Sequence, residues 1–157
     1  MLEFQHIVRV NEPRADTLII TRSQLWQGLV LRAHSPGKFN GALLCESTDI
    51  VSNRFLRKIT AGAAVFTEQV ILHPESKIET ITLPHNNQLV AESSTLIEEP
   101  EPESLFVRFN YRRDLDTSTD SVNVAEYLKA AYVQLDREAI VLIRSLAQSE
   151  IDNATIN

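Results

Sequence analysis

The sequence predicts an α+β fold, a curved antiparallel sheet of about seven strands wrapped around a long C-terminal helix, with a shorter helix after the first strand. Three observations lead to it. Residues 2–10 alternate apolar and polar side chains with a period of two, as a strand with one buried face does. Residues 42–113 carry short runs rich in Val, Ile, Thr and Phe between turn formers, and connections that short join antiparallel neighbours. From about residue 124 the apolar positions recur at helical spacing. Alternating βαβ units are absent, which disfavours a parallel α/β arrangement.

A chain of 157 residues suits one domain, 1–157, and at 17.7 kDa area scaling lets about two thirds of the surface be buried. Apolar residues make up 43% and charged residues 23%, a globular usage that argues against disorder. The apolar runs are too short for a membrane span, and residues 1–20 have early charges and no apolar leader core. One cysteine, Cys45, excludes an internal disulfide and a cysteine-rich zinc site. With 15 basic and 21 acidic side chains the net charge is −6, which disfavours nonspecific binding to nucleic acid or to an anionic membrane. The expectation is a cytoplasmic protein with no nucleic-acid partner and no membrane span.

In the first strand Leu2, Phe4, Val8 and Val10 share one parity, and His6 falls on that apolar face. Residues 11–16, with Pro13, form a loop. Thr21-Arg22-Ser23-Gln24 reads as a capping box, in which the threonine takes an amide three residues on and the glutamine reaches back. Leu25, Trp26, Leu29 and Ala33 follow at helical spacing until Ser35-Pro36-Gly37 stops the helix. Six strands are then predicted near 43–49, 55–61, 65–72, 77–83, 88–96 and 105–112, the clearest turns between them being 49–53, 73–76 and 84–87. The acidic run Glu98 to Glu103, with two prolines, reads as a solvated loop, with a patch for a basic partner as the alternative. Residues 114–123 form a polar loop, Asn123 with Glu126 offers a second capping box, and the long helix runs to about Ser149 before a frayed tail. Val124, Leu128, Ala131, Leu135, Leu142 and Leu146 form one narrow stripe on it, widened on one side by Tyr132, Ala139 and Ile143. Val133, Ile140 and Ala147 form a second stripe, explained by a homo-oligomer through Val133 and Ile140, or by cover from the first helix or a loop.

This order of elements resembles the helix-grip fold of the START and birch-pollen-allergen superfamily, also called SRPBCC. Residues Phe4 to Asn11, Leu18, Thr21 to Ala33, Pro36 and Phe39 are similar to the N-terminal signature of its AtaL-like branch, and Arg54 and the Phe106 to Tyr111 strand also fit. The resemblance implies the helix-grip fold and an internal cavity for an apolar ligand. It supplies no established catalytic residues, so none is carried over.

For such a cavity the candidate lining residues are Trp26, Arg32, Phe66, Glu68, Phe109, Tyr111, Leu128, Tyr132 and Leu135. Arg32 falls beside Leu25 and Leu29 on the apolar face of its helix. It either snorkels outward near the helix C-terminus or points into the cavity mouth to hold a carboxylate or enolate oxygen. Trp26 is core or lines the entrance. Tyr111 and Tyr132 are core residues with satisfied hydroxyls, or they orient a polar group on a ligand. Glu46, Arg57, Glu68, Glu92 and Arg108 lie within strand patterns, and any of them that faces inward needs a partner. No phosphate-binding loop or hydrolase nucleophile elbow occurs, and Cys45 reads as a small buried hydrophobe rather than a nucleophile. The four histidines lie in different elements without ligand spacing, so no metal and no cofactor are expected.

Three functions follow. The first is binding of a small hydrophobic or aromatic ligand between sheet and C-terminal helix. The second is an enzyme of cyclase, aromatase or hydrolase type in the same cavity, with Arg32, Tyr111, Tyr132, Glu68 and His6 as first suspects, favoured if two titratable groups converge within hydrogen-bond reach. The third is a protein–protein interaction module.

Overall fold

The computed structural model describes residues 1–84, 90–115 and 121–156. The elements are β1 (Leu2–Arg9), α1 (Arg22–His34), a short 3-10 turn (Pro36–Lys38), β2 (Leu43–Val51), β3 (Arg54–Ala61), β4 (Ala64–His73), β5 (Lys77–Thr82), β6 (Ala91–Glu101), β7 (Ser104–Arg113) and α2 (Ser121–Ile156). The strands form one seven-stranded antiparallel sheet in the order β1-β7-β6-β5-β4-β3-β2. The first strand in sequence therefore pairs with the last and extends the β2–β7 meander by an edge strand. Gly62, at φ 61°, and Asn53, at φ 62°, supply the left-handed backbone of two of its turns.

Directly opposed residues share a face of a sheet. Phe4, Tyr111, Ser93, Thr80, Val70 and Phe55 are successive partners from β1 to β3 and so form one row across the inner face. The core forms on that face. Phe55, Val70, Ile78, Val107 and Phe109 of the sheet meet Leu25 and Leu29 of α1 and Ile140, Ile143 and Ala147 of α2. Each large apolar side chain so buried contributes roughly 1.5–3 kcal/mol. The α1 start is fixed by the predicted capping box, with Gln24 N donating to Thr21 Oγ1 at 3.0 Å and Thr21 N donating to Gln24 Oε1 at 2.8 Å. Arg144 of α2 ties down the loop after β1, donating to the carbonyls of Val10 and Leu18, each at 2.6 Å.

Several sequence expectations need correction. The acidic run is the end of β6 and a tight turn, not a loop: β6 runs to Glu101 and β7 starts at Ser104. Pro100 is tolerated because the β5 register ends at Leu96, so no strand on that side needs its missing N–H. Helix α2 has 36 residues and spans about 54 Å. It starts at Ser121, which puts Asn123 inside the first turn, and it stays helical through Ile156, where a frayed tail was expected. The expected turn at 84–87 and the start of the strand at 88–96 fall partly outside the described residues.

The leucine stripe of α2 is also not its buried face. Leu146 is 43% exposed, whereas Asp136, Ala139, Ile140, Ile143 and Ala147 are buried. Small residues explain the rotation. Gly28 of α1 lies so close to Ile143 that a Cβ there would sit 2.5 Å from Cγ2, so α1 meets the alanine-bearing face and the leucines flank it. Ile140, 2% exposed, belongs to the core beside α1 and is not available to a subunit interface, which removes half of the expected homo-oligomer contact. Among the described residues no helix is long and apolar enough to cross a membrane.

Candidate functional site

The backbone of α2 comes closest to α1 and β1. Farther along the inner face a pocket of about 190 Å³ remains, lined by Arg57 of β3, Glu68 of β4, Thr80 of β5, Ala91, Glu92 and Ser93 of β6, Tyr111, Arg112 and Arg113 of β7 and Tyr132 of α2. The rings of Tyr111 and Tyr132 stack at 4.2 Å with 9° between planes, and Phe4 stacks on Tyr111 at 5.3 Å. The pocket therefore has an aromatic wall from β7 and α2, with Phe4 of β1 stacked against it.

Behind that wall is a fully buried aspartate, Asp136 of α2. Tyr111 Oη donates to its Oδ2 at 2.5 Å, and His6 Nε2 lies 2.7 Å from the same oxygen. A carboxylate accepting from both requires the His6 proton on Nε2. Arg32 Nη2 stands 3.0 Å from Oδ1. That oxygen has an ion pair but no hydrogen bond of good angle, so charge rather than alignment holds it. The Arg32 guanidinium also lies 5.9 Å above the Phe109 ring. Side chains from β1, β7 and α1 thus converge on one carboxylate of α2. Burial first, then the Asp136 charge and hydrogen bond, push the Tyr111 phenol far above its ordinary 10.0. Tyr111 therefore stays a neutral donor rather than a base.

A second inward charge pair flanks the pocket. Arg57 and Glu68 are directly opposed in the β3–β4 register and joined Nε to Oε1 at 3.0 Å, while Arg57 Nη1 donates to the Ala33 carbonyl at 2.7 Å. Arg113 donates through Nη1 to Tyr132 Oη at 3.0 Å and through Nε to the Asp114 carbonyl at 3.4 Å. Of the other strand charges singled out in the sequence, Glu46 is exposed, Arg108 pairs with Glu98 at 2.9 Å, and Glu92 pairs with Arg112 at 3.4 Å at the rim of the pocket.

A larger groove of about 700 Å³ lies on the opposite face, lined by Gln5, Gln69, Ile71, Glu79, Ser94 and Asn110 among others. It is a saddle of the twisted sheet, edged by exposed Arg112–Glu3 and Arg112–Glu92 pairs. The charged side chains that line it, Glu3, Glu79, Glu92 and Arg112, are exposed and ion-paired, whereas the inner pocket holds the largely buried Arg57–Glu68 pair and Arg113, so the smaller inner pocket is the candidate site.

Of the residues expected at a cavity, Glu68, Tyr111 and Tyr132 line the inner pocket. Arg32 meets an anion as one reading had it, but that anion is the chain's own Asp136. Phe109 is 1% exposed and packed into the core, Trp26 packs against the same core, and Phe66 sits on the inner face opposite Ile59. Leu128 and Leu135 are half-buried on the flank of α2. The sequence reading missed Asp136 and Arg113. The signal for Asp136 was its place on the wheel among Tyr132, Ala139 and Ile143. Cys45 is half-buried, its thiol faces the His34 carbonyl at 3.6 Å, and burial raises its pKa, as suits an inert residue.

Residues 4–150 match the family described as "Acetylaranotin biosynthesis cluster protein L", AtaL. No curated protein sequence matches the chain. Among solved structures, the di-domain ARO/CYC StfQ from the steffimycin biosynthetic pathway superposes with a TM-score of 0.74 at 10% identity, over 96% of this chain and 52% of that one. The Zhui aromatase/cyclase from Streptomyces sp. R1128 gives 0.66 at 12% identity, over 95% and 94%. A START superfamily protein from Mycobacterium smegmatis gives 0.65 at 10% identity, over 93% and 99%. At such identities the likeness is one of fold, the helix-grip arrangement. The chain spans about half the length of the two di-domain proteins it matches.

Proposed function

The chain belongs to the AtaL family, and from that premise we propose that it binds a small apolar or aromatic molecule in the pocket between sheet and α2. The observation that carries this reading is the aromatic wall of Tyr111 and Tyr132 facing an open volume of about 190 Å³ in an otherwise packed inner face. The lining joins the two tyrosine rings and Ala91 to convergent polar and charged groups, and concave sites that pair an aromatic surface with placed polar groups take small ligands. The fold shared with proteins named as aromatase/cyclases and as a START superfamily protein supports the same reading. Native mass spectrometry of the purified chain, followed by denaturing extraction and addition of small aromatic compounds, tests it. Stoichiometric mass increments are expected. A spectrum that stays unliganded across the series contradicts the reading.

A second reading, an enzyme using the same pocket, is favoured by one observation. His6, Arg32 and Tyr111 converge on Asp136, and Tyr111 also faces the pocket. In that role Tyr111, whose one proton goes to Asp136, offers its Oη lone pairs to a hydroxyl or N–H of the ligand and so orients it, and Asp136 fixes the direction of that oxygen. Tyr111→Phe would then abolish turnover of a bound compound while leaving its affinity within a few fold. Equal loss of binding and turnover would reduce Tyr111 to a binding group.

A further inference from the structure

We propose that the ligand of the inner pocket is a monocyclic aromatic anion, with its carboxylate on Arg113 and its ring against Tyr111 and Tyr132. This rests on the ligand-binding reading above and adds the ligand's charge and size. The charge comes from the inward-facing groups. Arg57 is neutralised by Glu68 at 3.0 Å. The Asp136 carboxylate behind the wall is matched by Arg32. Arg112 and Glu92, which also line the pocket, pair with each other at 3.4 Å, and Arg112 pairs with Glu3 at 3.2 Å as well. Arg113 faces the pocket with no carboxylate partner among the described residues. Its Nη2 makes no hydrogen bond among them. Among the described residues the pocket therefore holds one unmatched positive charge.

A neutral ligand would cover that guanidinium and strip its water without a counter-charge. A carboxylate would complete it with charge-assisted hydrogen bonds, with the Tyr132 hydroxyl and the Ser93 and Thr80 side chains near enough to line the same space. The size comes from the volume. A cavity of about 150 Å³ accommodates benzene, so about 190 Å³ suits one substituted ring. The stacked tyrosines offer that ring a flat face.

The experiment is isothermal titration of the full chain with benzoate and its neutral isostere benzamide, at low and high salt, with neutral two-ring aromatics alongside. Benzoate is expected to bind about tenfold or more tightly than benzamide, with an advantage that shrinks as salt rises. Arg113→Gln should bring the benzoate-to-benzamide affinity ratio down to about one, and Arg113→Lys should restore part of the benzoate advantage. Equal or tighter binding of benzamide by the unmodified chain overturns the proposal, whether or not the variants fold. Binding of neutral two-ring compounds without benzoate also overturns it while leaving the ligand-binding reading standing. No binding by any of them removes both.

Discussion

Asp136→Ala should be the most destabilising single substitution in the candidate site. The carboxylate is fully buried and takes the Tyr111 and His6 hydrogen bonds at 2.5 and 2.7 Å and the Arg32 ion pair at 3.0 Å. Its removal leaves a phenol, an imidazole and a guanidinium without their acceptor. Two hydrogen bonds to a charged group are together worth roughly 3–6 kcal/mol, and breaking a buried ion pair costs about 3–5 kcal/mol. These overlap because the groups act as one network. The Arg32 side chain is also 25% exposed and regains some water. A loss of about 3–4 kcal/mol is therefore expected. At roughly 2–4 °C per kcal/mol for a chain of this size, Tm should fall by about 6–16 °C. Urea unfolding followed by Trp26 fluorescence and by circular dichroism measures it. Replacing all four groups together, with Asp136→Leu, Arg32→Met, His6→Phe and Tyr111→Phe, should recover much of the loss, because no polar group is then stranded. A loss below about 1 kcal/mol for Asp136→Ala, with an unchanged urea slope, would refute the view that this carboxylate organises the site.

Three other outcomes follow from the same geometry. Gly28→Ala gains about 1 kcal/mol of helix propensity, but its Cβ meets Ile143 at 2.5 Å and the net effect should be a loss of about 1–2 kcal/mol; in an Ile143→Ala background the loss should vanish, as denaturant midpoints would reveal. Arg144→Met should cost about 2–4 kcal/mol and open residues 11–20 to proteolysis, since Arg144 holds the Val10 and Leu18 carbonyls; an unchanged cleavage pattern would count against the clamp. In a spectroscopic titration, Tyr111→Phe should leave the phenolate signal of the folded protein near pH 10 unchanged, because the raised Tyr111 pKa keeps that group protonated. The unfolded phenol ionises first, so the Tyr111 contribution to stability is complete below pH 10 and is lost as pH rises beyond it.

Much of the fold was legible because the strands obey a period of two. The parity of β1 put His6 on the buried face, and the Leu105-Val107-Phe109-Tyr111 alternation of β7 put Tyr111 there; their pairing then brought Phe4 beside Tyr111. The Thr21 cap was legible because a capping box is local chemistry. The orientation of α2 was not, because its leucines outline a stripe while the contact with α1 is set by Gly28, Ala139 and Ala147, whose virtue is small size. The same rotation hid Asp136. A single aspartate on a helix reads as solvated until its three partners, from β1, β7 and α1, are brought to it by long-range pairing. Arg113 at a strand end gave no period-two signal of its own.

The most direct test of the account is chemical-shift mapping by NMR during titration with small aromatic compounds. Shifts are expected at Arg57, Glu68, Arg113 and Tyr132, which line the inner pocket and not the outer groove, while Gln5, Glu79 and Asn110 of the outer groove stay in place. Shifts confined to the outer groove, or no shifts at saturating concentration, would contradict the assignment of the inner pocket as the functional site.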